Sequence, residues 1–162
     1  MHSVESDFLI SLIDILRIHQ RVIDYDKETD PDDYAPAILS LATLELMFEY
    51  LIKESNTVFQ NATIVVYTIV ARHPFFNGNK RTGYEAMNLV IEDGGYKFTS
   101  TKEEMIDFIV RIATTENETK LPEIEEWIIN NTIKEPGESE ILLALDVPLC
   151  PAYNYAPTDS TT

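Results

Sequence analysis

The chain has little positive charge, almost no cysteine and no long apolar run. Its 162 residues contain 12 Lys and Arg against 28 Asp and Glu, so the formal net charge at pH 7 is −16. A field of that sign repels the phosphate backbone of nucleic acids, so we expect no nucleic-acid partner. The single cysteine, Cys150, cannot form an internal disulfide, which agrees with a reducing compartment.

No stretch approaches the roughly 20 apolar residues that a transmembrane helix requires. The first ten residues, MHSVESDFLI, include acidic side chains where a secretory signal would have basic ones. These features predict a cytoplasmic protein that does not interact with a membrane. The length suits one domain, which we place at residues 1–134, followed by an acidic tail with proline, serine and threonine at residues 135–162.

Apolar spacing in the first half of the chain predicts three helices. The first covers about residues 8–23, the second runs from about Pro36 to Lys53, and the third lies within VFQNATIVVYTIVARH, residues 58–73. The third is apolar nearly all round at its centre, which fits a buried central helix capped by Asn56 or Thr57. Its β-branched residues would also fit a buried strand. The length of the segment favours the helix. The expected inner faces are Phe8, Leu9, Leu12, Ile13, Leu16 and Ile23 in the first helix and Ile38, Leu41, Leu44, Met47 and Leu51 in the second.

The second half of the chain adds three more helices and one short extended stretch. A helix begins after Gly78 and ends at the pair Gly94-Gly95, and YKFTS, residues 96–100, is extended. Thr101 with Glu104 predicts a capping box before the next helix, and Pro122 suits the first turn of the last, EIEEWIINNTI. The sequence thus predicts an all-α fold with at least six helices and almost no strand, at most a small β-hairpin.

Much of the scarce positive charge is gathered in one stretch, HPFFNGNKRTG, residues 73–83. A helix that begins at Gly78 presents unpaired backbone N–H groups and the positive end of its dipole, which together attract anions. The positive charges of Lys80 and Arg81 are repelled by the positive end of the dipole, which destabilises the helix start. A bound anion would cancel this repulsion. Asn79 can donate an amide hydrogen bond, and Arg81 can bind two phosphate oxygens at once. The predicted phosphate-binding residues are Gly78, Asn79, Lys80, Arg81 and Thr82.

His73 lies just before this segment, where its imidazole could accept a proton from an attacking hydroxyl. A His-Pro pair at a helix end is also common as a capping or packing feature, and a Lys-Arg pair as a solvated surface, so the residues alone leave both interpretations open. His19 and Trp127 are expected to have structural roles inside the helical core. No Cys and His spacing indicates a zinc site.

The same stretch resembles the signature of the Fic/Doc family, His-x-Phe-x-Asp/Glu-Gly-Asn-Gly/Lys-Arg. It matches at His73, Phe75, Gly78, Asn79, Lys80 and Arg81. IHQRVID in the first helix and GGYKFTSTKEEMIDFIVRIA after the motif are similar to the death-on-curing, or Doc, branch. The resemblance covers roughly residues 8–133. It implies a Fic-type helical bundle with the motif loop between two central helices.

The resemblance also implies roles for individual residues. His73 would be the general base for a target Ser or Thr hydroxyl, and Phe75 would anchor the loop in the core. Gly78 and Asn79 would form an anion hole, while Lys80 and Arg81 would neutralise phosphate charge. The implied catalytic residues are His73, Lys80 and Arg81. The implied substrate is ATP, and the implied cofactor is Mg²⁺ bound with it.

Two positions depart from the family pattern. Asn77 stands where the family has its metal-binding acid, and its neutral amide oxygen is a weaker Mg²⁺ ligand than a carboxylate. Tyr84 stands where adenylyl-transferring members have a second arginine. With Lys80, Tyr84 favours transfer of phosphate from ATP, as in the Doc branch, over transfer of AMP. A nucleotide- or antitoxin-binding module weakened by Asn77 is the third alternative.

Members of the Doc branch modify a translation factor, elongation factor Tu, and are silenced by a small antitoxin. The resemblance therefore implies a target protein and an antitoxin as partners. The family's inhibitory pattern, Ser/Thr-x-x-x-Glu-Gly/Asn, does not occur in this chain, since Glu116-Asn117 has Ile112 four residues before the glutamate. Control would thus come from a separate antitoxin or from the tail at residues 135–162.

Overall fold

A computed structural model describes residues 9–29, 37–114 and 120–137. These ranges contain six α-helices, one π-helical segment and a small two-stranded sheet. The helices are α1 (Leu12–Thr29), α2 (Leu41–Leu46), α3 (Val58–Arg72), α4 (Asn79–Asp93), α5 (Lys102–Thr114) and α6 (Leu121–Asn130); the strands are β1 (Tyr96–Phe98) and β2 (Thr132–Lys134). The predicted all-α fold with at least six helices is confirmed. The predictions for Phe8, Pro36, Glu116-Asn117 and the tail beyond residue 137 lie outside the described residues.

Helix α3 lies at the centre of the bundle and contacts α2, α4, α5 and α6. Its start is fixed by a capping box, in which the Gln60 N–H donates to Thr57 Oγ1 at 3.1 Å and the Thr57 N–H donates to Gln60 Oε1 at 3.0 Å. The apolar run then continues around the helix, so α3 serves two cores. One core lies toward α5 and α6 and includes Val66 and Ile128. The other lies toward α1 and α2 and includes Val65 and Phe75 of the motif.

The buried face of α1 differs from the predicted one. Ile15, Ile18 and Val22 are buried, whereas Ile13 is 59% exposed. Leu9, just before the helix, is also on the surface. The apolar residues of α1 allow two overlapping stripes at helical spacing, and packing of α1 against α4 selects one of them. The predicted helix is therefore confirmed, but its predicted inner face is partly wrong.

The predicted second helix is shorter than expected. Residues 37–40 are extended, and α2 begins after Ser40, whose hydroxyl accepts from the Thr43 N–H at 3.3 Å. A π-helical segment, Met47–Leu51, then continues α2. Within the predicted inner face, Leu44 and Met47 are buried, but Ile38, Leu41 and Leu51 are exposed. The extended segment was missed because its hydrogen-bond partners lie in the motif loop rather than nearby in the sequence.

The extended stretch after α4 is confirmed, but its partner was not predicted. Strand β1 pairs antiparallel with β2, with Lys97 opposite Ile133. Residues 132 and 133 were expected to end the last helix; instead α6 ends at Asn130 and the chain turns back along β1. The Glu135 N–H donates to the Gly95 carbonyl oxygen at 2.8 Å and continues this pairing. In the described ranges, no helix is both long and apolar enough to cross a membrane.

Candidate phosphate-binding site

The motif loop joins the two most extensively packed helices, α3 and α4. It reverses the chain through two left-handed residues, His73 (φ 48°) at the end of α3 and Gly78 (φ 76°) at the start of α4. Helix α4 approaches α3 closely at Gly83, where an added Cβ would lie 2.4 Å from Val70 Cγ2. The loop is thus held between rigid helices, as the predicted position of the motif between two central helices requires.

Phe75 and Asn79 fix the loop from the inside. Asn79 Nδ2 donates to the Phe75 carbonyl oxygen at 2.7 Å, and the Phe75 N–H donates to Asn79 Oδ1 at 3.0 Å. Phe75 is buried in the core, as expected for an anchor. Both polar atoms of the Asn79 side chain bind the loop backbone, so donation from its amide to phosphate would have to come from the second N–H of Nδ2 and stays a prediction. Asn79 can still offer a ligand its backbone N–H at the start of α4.

The extended segment before α2 fixes the outer side of the loop. The Leu39 and Ser40 N–H groups donate to the Pro74 carbonyl oxygen at 2.8 and 3.1 Å, and the Phe76 N–H donates to the Ala37 carbonyl oxygen at 2.8 Å. The loop backbone therefore has partners on both sides. Such restraint keeps the beginning of α4 in one geometry, which favours binding of a ligand without a reordering cost.

Helix α1 packs beneath the loop through His19. The imidazole is stacked on the Phe75 ring, with the ring centroids 3.7 Å apart and an interplanar angle of 11°. Its Nδ1 lies 3.2 Å from Thr82 Oγ1. The Thr82 side chain is fully buried, and its N–H donates to the Gly78 carbonyl oxygen at 2.9 Å. The structure thus places the Thr82 side chain in the support of the site, and its predicted contact with phosphate stays a prediction. Burial lowers the pKa of His19 to about 4, so this imidazole is neutral at pH 7.

The beginning of α4 has the properties of an anion site. The first N–H groups of a helix lack intrahelical partners, and no side chain of the described residues caps this helix start. A Cβ at Gly78 would lie 3.1 Å from Val22 Cγ1, and the positive φ would strain any other residue. Lys80 and Arg81 are exposed in the first turn. Backbone donors and two cationic side chains thus occur at one helix end.

Arg81 is held at this helix end by α1. Its guanidinium forms an ion pair with the Asp26 carboxylate and lies over the Tyr25 ring, 5.4 Å from the centroid. The Arg81 side chain is still 48% exposed. A guanidinium has five N–H donors, so the pair with Asp26 leaves others to bind phosphate oxygens. Neither Asp26 nor Tyr25 was predicted, because the acidic run around them has no local signal that points to Arg81.

His73 presents one ring nitrogen to solvent at the end of α3. The side chain is exposed, and Nδ1 lies 3.2 Å from the Ala71 carbonyl oxygen. A carbonyl oxygen can only accept, so this hydrogen bond places the proton on Nδ1. In the neutral ring, Nε2 is then the acceptor. The tautomer is therefore the one that a general base acting through Nε2 requires.

A cavity of about 850 Å³ opens beside the cationic turn, between α4 and α5. Lys80, Arg81 and Tyr84 line one side, and Phe98 and Ile109 are among the apolar residues that line it elsewhere. The volume is within the range of small-molecule sites. Burial and, to a lesser extent, the nearby carboxylates of Glu85 and Glu92 raise the pKa of Tyr84, so its phenol stays protonated and can donate.

The described side chains offer few ligands to a metal ion. Among the described residues, no group of three or more His, Cys, Asp and Glu side chains could hold a metal ion. Asn77 supplies one neutral amide oxygen at the position where the resemblance implies an acid. This donor fits Mg²⁺ in kind, since Mg²⁺ binds oxygen, but it brings no charge. Most of the ligands of such an ion would have to be phosphate oxygens and water.

Comparison with known families agrees with this geometry. The model of the Fic/DOC family matches residues 9–91, which is just over half of the chain and includes α1, the motif loop and nearly all of α4. The chain belongs to the Fic/DOC family, whose members are typically transferases that act on nucleotides or proteins. No curated protein matches the chain.

Proposed function

We propose that this protein is a transferase of the Doc branch that moves phosphate from ATP to a Ser or Thr hydroxyl of a target protein. The observation that carries the proposal is the uncapped beginning of α4, where Lys80 and Arg81 are exposed in the first turn; the exposed His73, whose Nε2 is the ring acceptor, stands at the other end of the same short loop. Gly78 and Asn79 contribute backbone N–H groups, so phosphate oxygens would meet both backbone and side-chain donors. The proposed setting is cytoplasmic, with a translation factor as target and a small antitoxin as regulator.

In the proposed reaction, the target hydroxyl oxygen attacks the γ-phosphorus of ATP. A new oxygen–phosphorus bond forms, the bond between the γ-phosphorus and the β–γ bridging oxygen breaks, and ADP leaves. His73 Nε2 takes the hydroxyl proton. Lys80, Arg81 and the positive end of α4 stabilise the charge on the transferred group and on ADP.

Phosphate transfer is favoured over AMP transfer by Lys80 and Tyr84. Adenylyl-transferring members use a second arginine where this chain has Tyr84, and a protonated phenol offers one hydrogen bond but no positive charge. Tyr84 lines the cavity beside α4, so this difference acts where a nucleotide would lie. The alternative remains a transferase of AMP.

Asn77 supports a second candidate, a binding module with weakened transfer. Mg²⁺ would supply charge neutralisation on the phosphates when bound. The neutral Asn77 oxygen would hold this ion less firmly than a carboxylate, while the backbone site at α4 would be unaffected. Nucleotide binding without transfer would then be the outcome.

The test is transfer of label from γ-labelled and α-labelled ATP, with Mg²⁺, to proteins of a lysate. We expect label from the γ position only, lost in His73→Ala and reduced in Arg81→Ala. Arg111→Ala, which removes an exposed arginine from α5 rather than from the site, is the matched control and should keep full transfer.

The outcomes separate the three candidates. His73-dependent transfer of label from the α position would show that the protein transfers AMP rather than phosphate. Binding of ATP without His73-dependent label from either position would favour the binding module. If the protein shows neither ATP binding nor transfer of label, the proposed function as a whole is overturned.

A further inference from the structure

His19 contacts the motif segment at two points, although it belongs to α1. Its ring is stacked on Phe75, and its Nδ1 lies 3.2 Å from Thr82 Oγ1. Between these contacts the ring lies close to Gly78, since its Cε1 would be 3.6 Å from a Cβ added there. The two contacts fall before and after the position where α4 begins. One side chain thus supports the whole turn that presents the phosphate-binding N–H groups.

Packing alone does not explain a histidine at this position. His19 is only 7% exposed, and among the described residues its Nε2 has no hydrogen-bond partner. A buried polar atom without a partner destabilises the folded state, and a phenylalanine could form the same ring stack without that cost. What phenylalanine cannot supply is the hydrogen bond to Thr82. The polar contact therefore has a role beyond filling space.

We propose that His19 is a positioning residue, whose stack on Phe75 and hydrogen bond to Thr82 hold the motif loop and the beginning of α4 in the geometry that binds phosphate. The hydrogen bond joins the middle of α1 to the first turn of α4, and the stack joins α1 to the loop. The expected effect of His19 on the affinity for ATP rests on the proposed function. The effect on the loop does not, so the two can be tested separately.

Hydrogen exchange of the full-length protein tests the structural part. The informative amides are those of Phe75, Phe76 and Thr82, which donate to Asn79 Oδ1, the Ala37 oxygen and the Gly78 oxygen. Amides in the middle of α5 serve as the internal reference. His19→Phe keeps an aromatic ring for the stack and removes the bond to Thr82, and Thr82→Val removes the same bond from the other side.

We expect both variants to accelerate exchange of the loop amides by about tenfold relative to the α5 amides. This is the increase in local opening expected from the loss of one buried hydrogen bond. The double variant should add little to either single one, because both remove the same interaction. Ile15→Val, which trims a fully buried residue one turn earlier on α1, is the matched control and should change both sets of amides alike. Equal acceleration of both sets in His19→Phe and Thr82→Val, or none, would overturn the proposal.

ATP titration with Mg²⁺ tests the functional part. We expect the affinity to fall several-fold in His19→Phe and Thr82→Val and to stay unchanged in Ile15→Val. If the unaltered protein does not bind ATP, the proposed function fails, while hydrogen exchange still decides the role of His19. If ATP binds equally to all variants although the loop amides exchange faster, His19 holds the loop but does not position it for phosphate, and the proposal is overturned.

Discussion

The side chains around the start of α4 divide into those that can reach a ligand and those that hold the loop. Lys80 and Arg81 are exposed, and His73 presents Nε2. Asn79 directly precedes Lys80 and Thr82 directly follows Arg81, yet both point into the structure and bind Phe75 and His19. Neighbours in one helical turn thus have opposite roles, because successive residues of a helix point in different directions.

In the proposed site, Asn77 is the residue whose chemistry would set the affinity for Mg²⁺. Asn77→Asp adds a negative charge and a carboxylate, which Mg²⁺ prefers over an amide. We expect ATP to bind at least about tenfold more tightly to Asn77→Asp than to the unaltered protein when Mg²⁺ is present, which is about 1.4 kcal/mol. Isothermal titration with ATP in Mg²⁺ and in EDTA measures this.

The EDTA titration is the control, because without a metal the added charge should repel ATP and weaken binding. Asn77→Ala, which has no oxygen ligand, should show no gain in Mg²⁺. The same ATP affinity for all three proteins in Mg²⁺ would mean that position 77 does not contact the metal.

At the scale of elements, the site depends on how closely α3 and α4 approach. Gly83 is buried, and Val70 of α3 occupies the space where a Cβ would lie. The left-handed residues His73 and Gly78 mark where α3 ends and where α4 begins. The motif loop is short, so a change in the distance between these helices would alter the loop directly.

Gly83→Ala tests this close packing. The added Cβ would lie 2.4 Å from Val70 Cγ2, so the helices must separate or Val70 must move. Overpacking typically costs about 1–3 kcal/mol, and the better helix propensity of alanine returns at most about 1 kcal/mol. We therefore expect a net loss of roughly 1–2 kcal/mol in the free energy of unfolding, measured by urea denaturation.

Two further variants check the cause. Gly137→Ala, where an added Cβ meets nothing within 4 Å, should leave the stability almost unchanged. Val70→Ala combined with Gly83→Ala should be more stable than the sum of the single effects predicts, because the shorter side chain makes room for the Cβ. Simple additivity would show that the two residues do not compete for space.

For the whole molecule, stability depends on pH through all groups whose proton affinity changes on folding. The net charge of −16 at pH 7 means that acidification generally lowers self-repulsion. His19 acts in the opposite direction. Burial lowers its pKa from 6.5 to about 4, so its neutral form is favoured in the folded state and its contribution is fully present only above about pH 6.5.

Comparison with His19→Phe isolates this contribution, because the other titrating groups are common to both proteins. Between about pH 7.5 and pH 5, we expect the unaltered protein to lose roughly 2 kcal/mol of unfolding free energy relative to His19→Phe, as the unfolded histidine gains a proton that the folded one does not. Urea denaturation at both pH values measures the difference. A constant difference between the proteins would mean that His19 titrates alike when folded and unfolded.

The sequence alone determined those features that depend on contacts a few residues apart. The cap at Thr57, the capping box at Thr101, the helix end at Gly94 and the uncapped helix start at Gly78 all arise from such local contacts, and the structure confirms them. The presence of His73, Lys80 and Arg81 in one short motif could likewise be read from neighbouring residues in the sequence. The helical fold class follows from the same short-range periodicity.

The tertiary structure decided everything that joins distant parts of the chain. His19 meets Thr82 across 63 positions and Arg81 meets Asp26 across 55, and no local pattern specifies either pair. Likewise, only packing selected the buried face of α1, the extended form of residues 37–40 and the pairing of β2 with β1. Helix starts are set by hydrogen bonds within one turn, whereas the supports of this site are set by which elements meet in space.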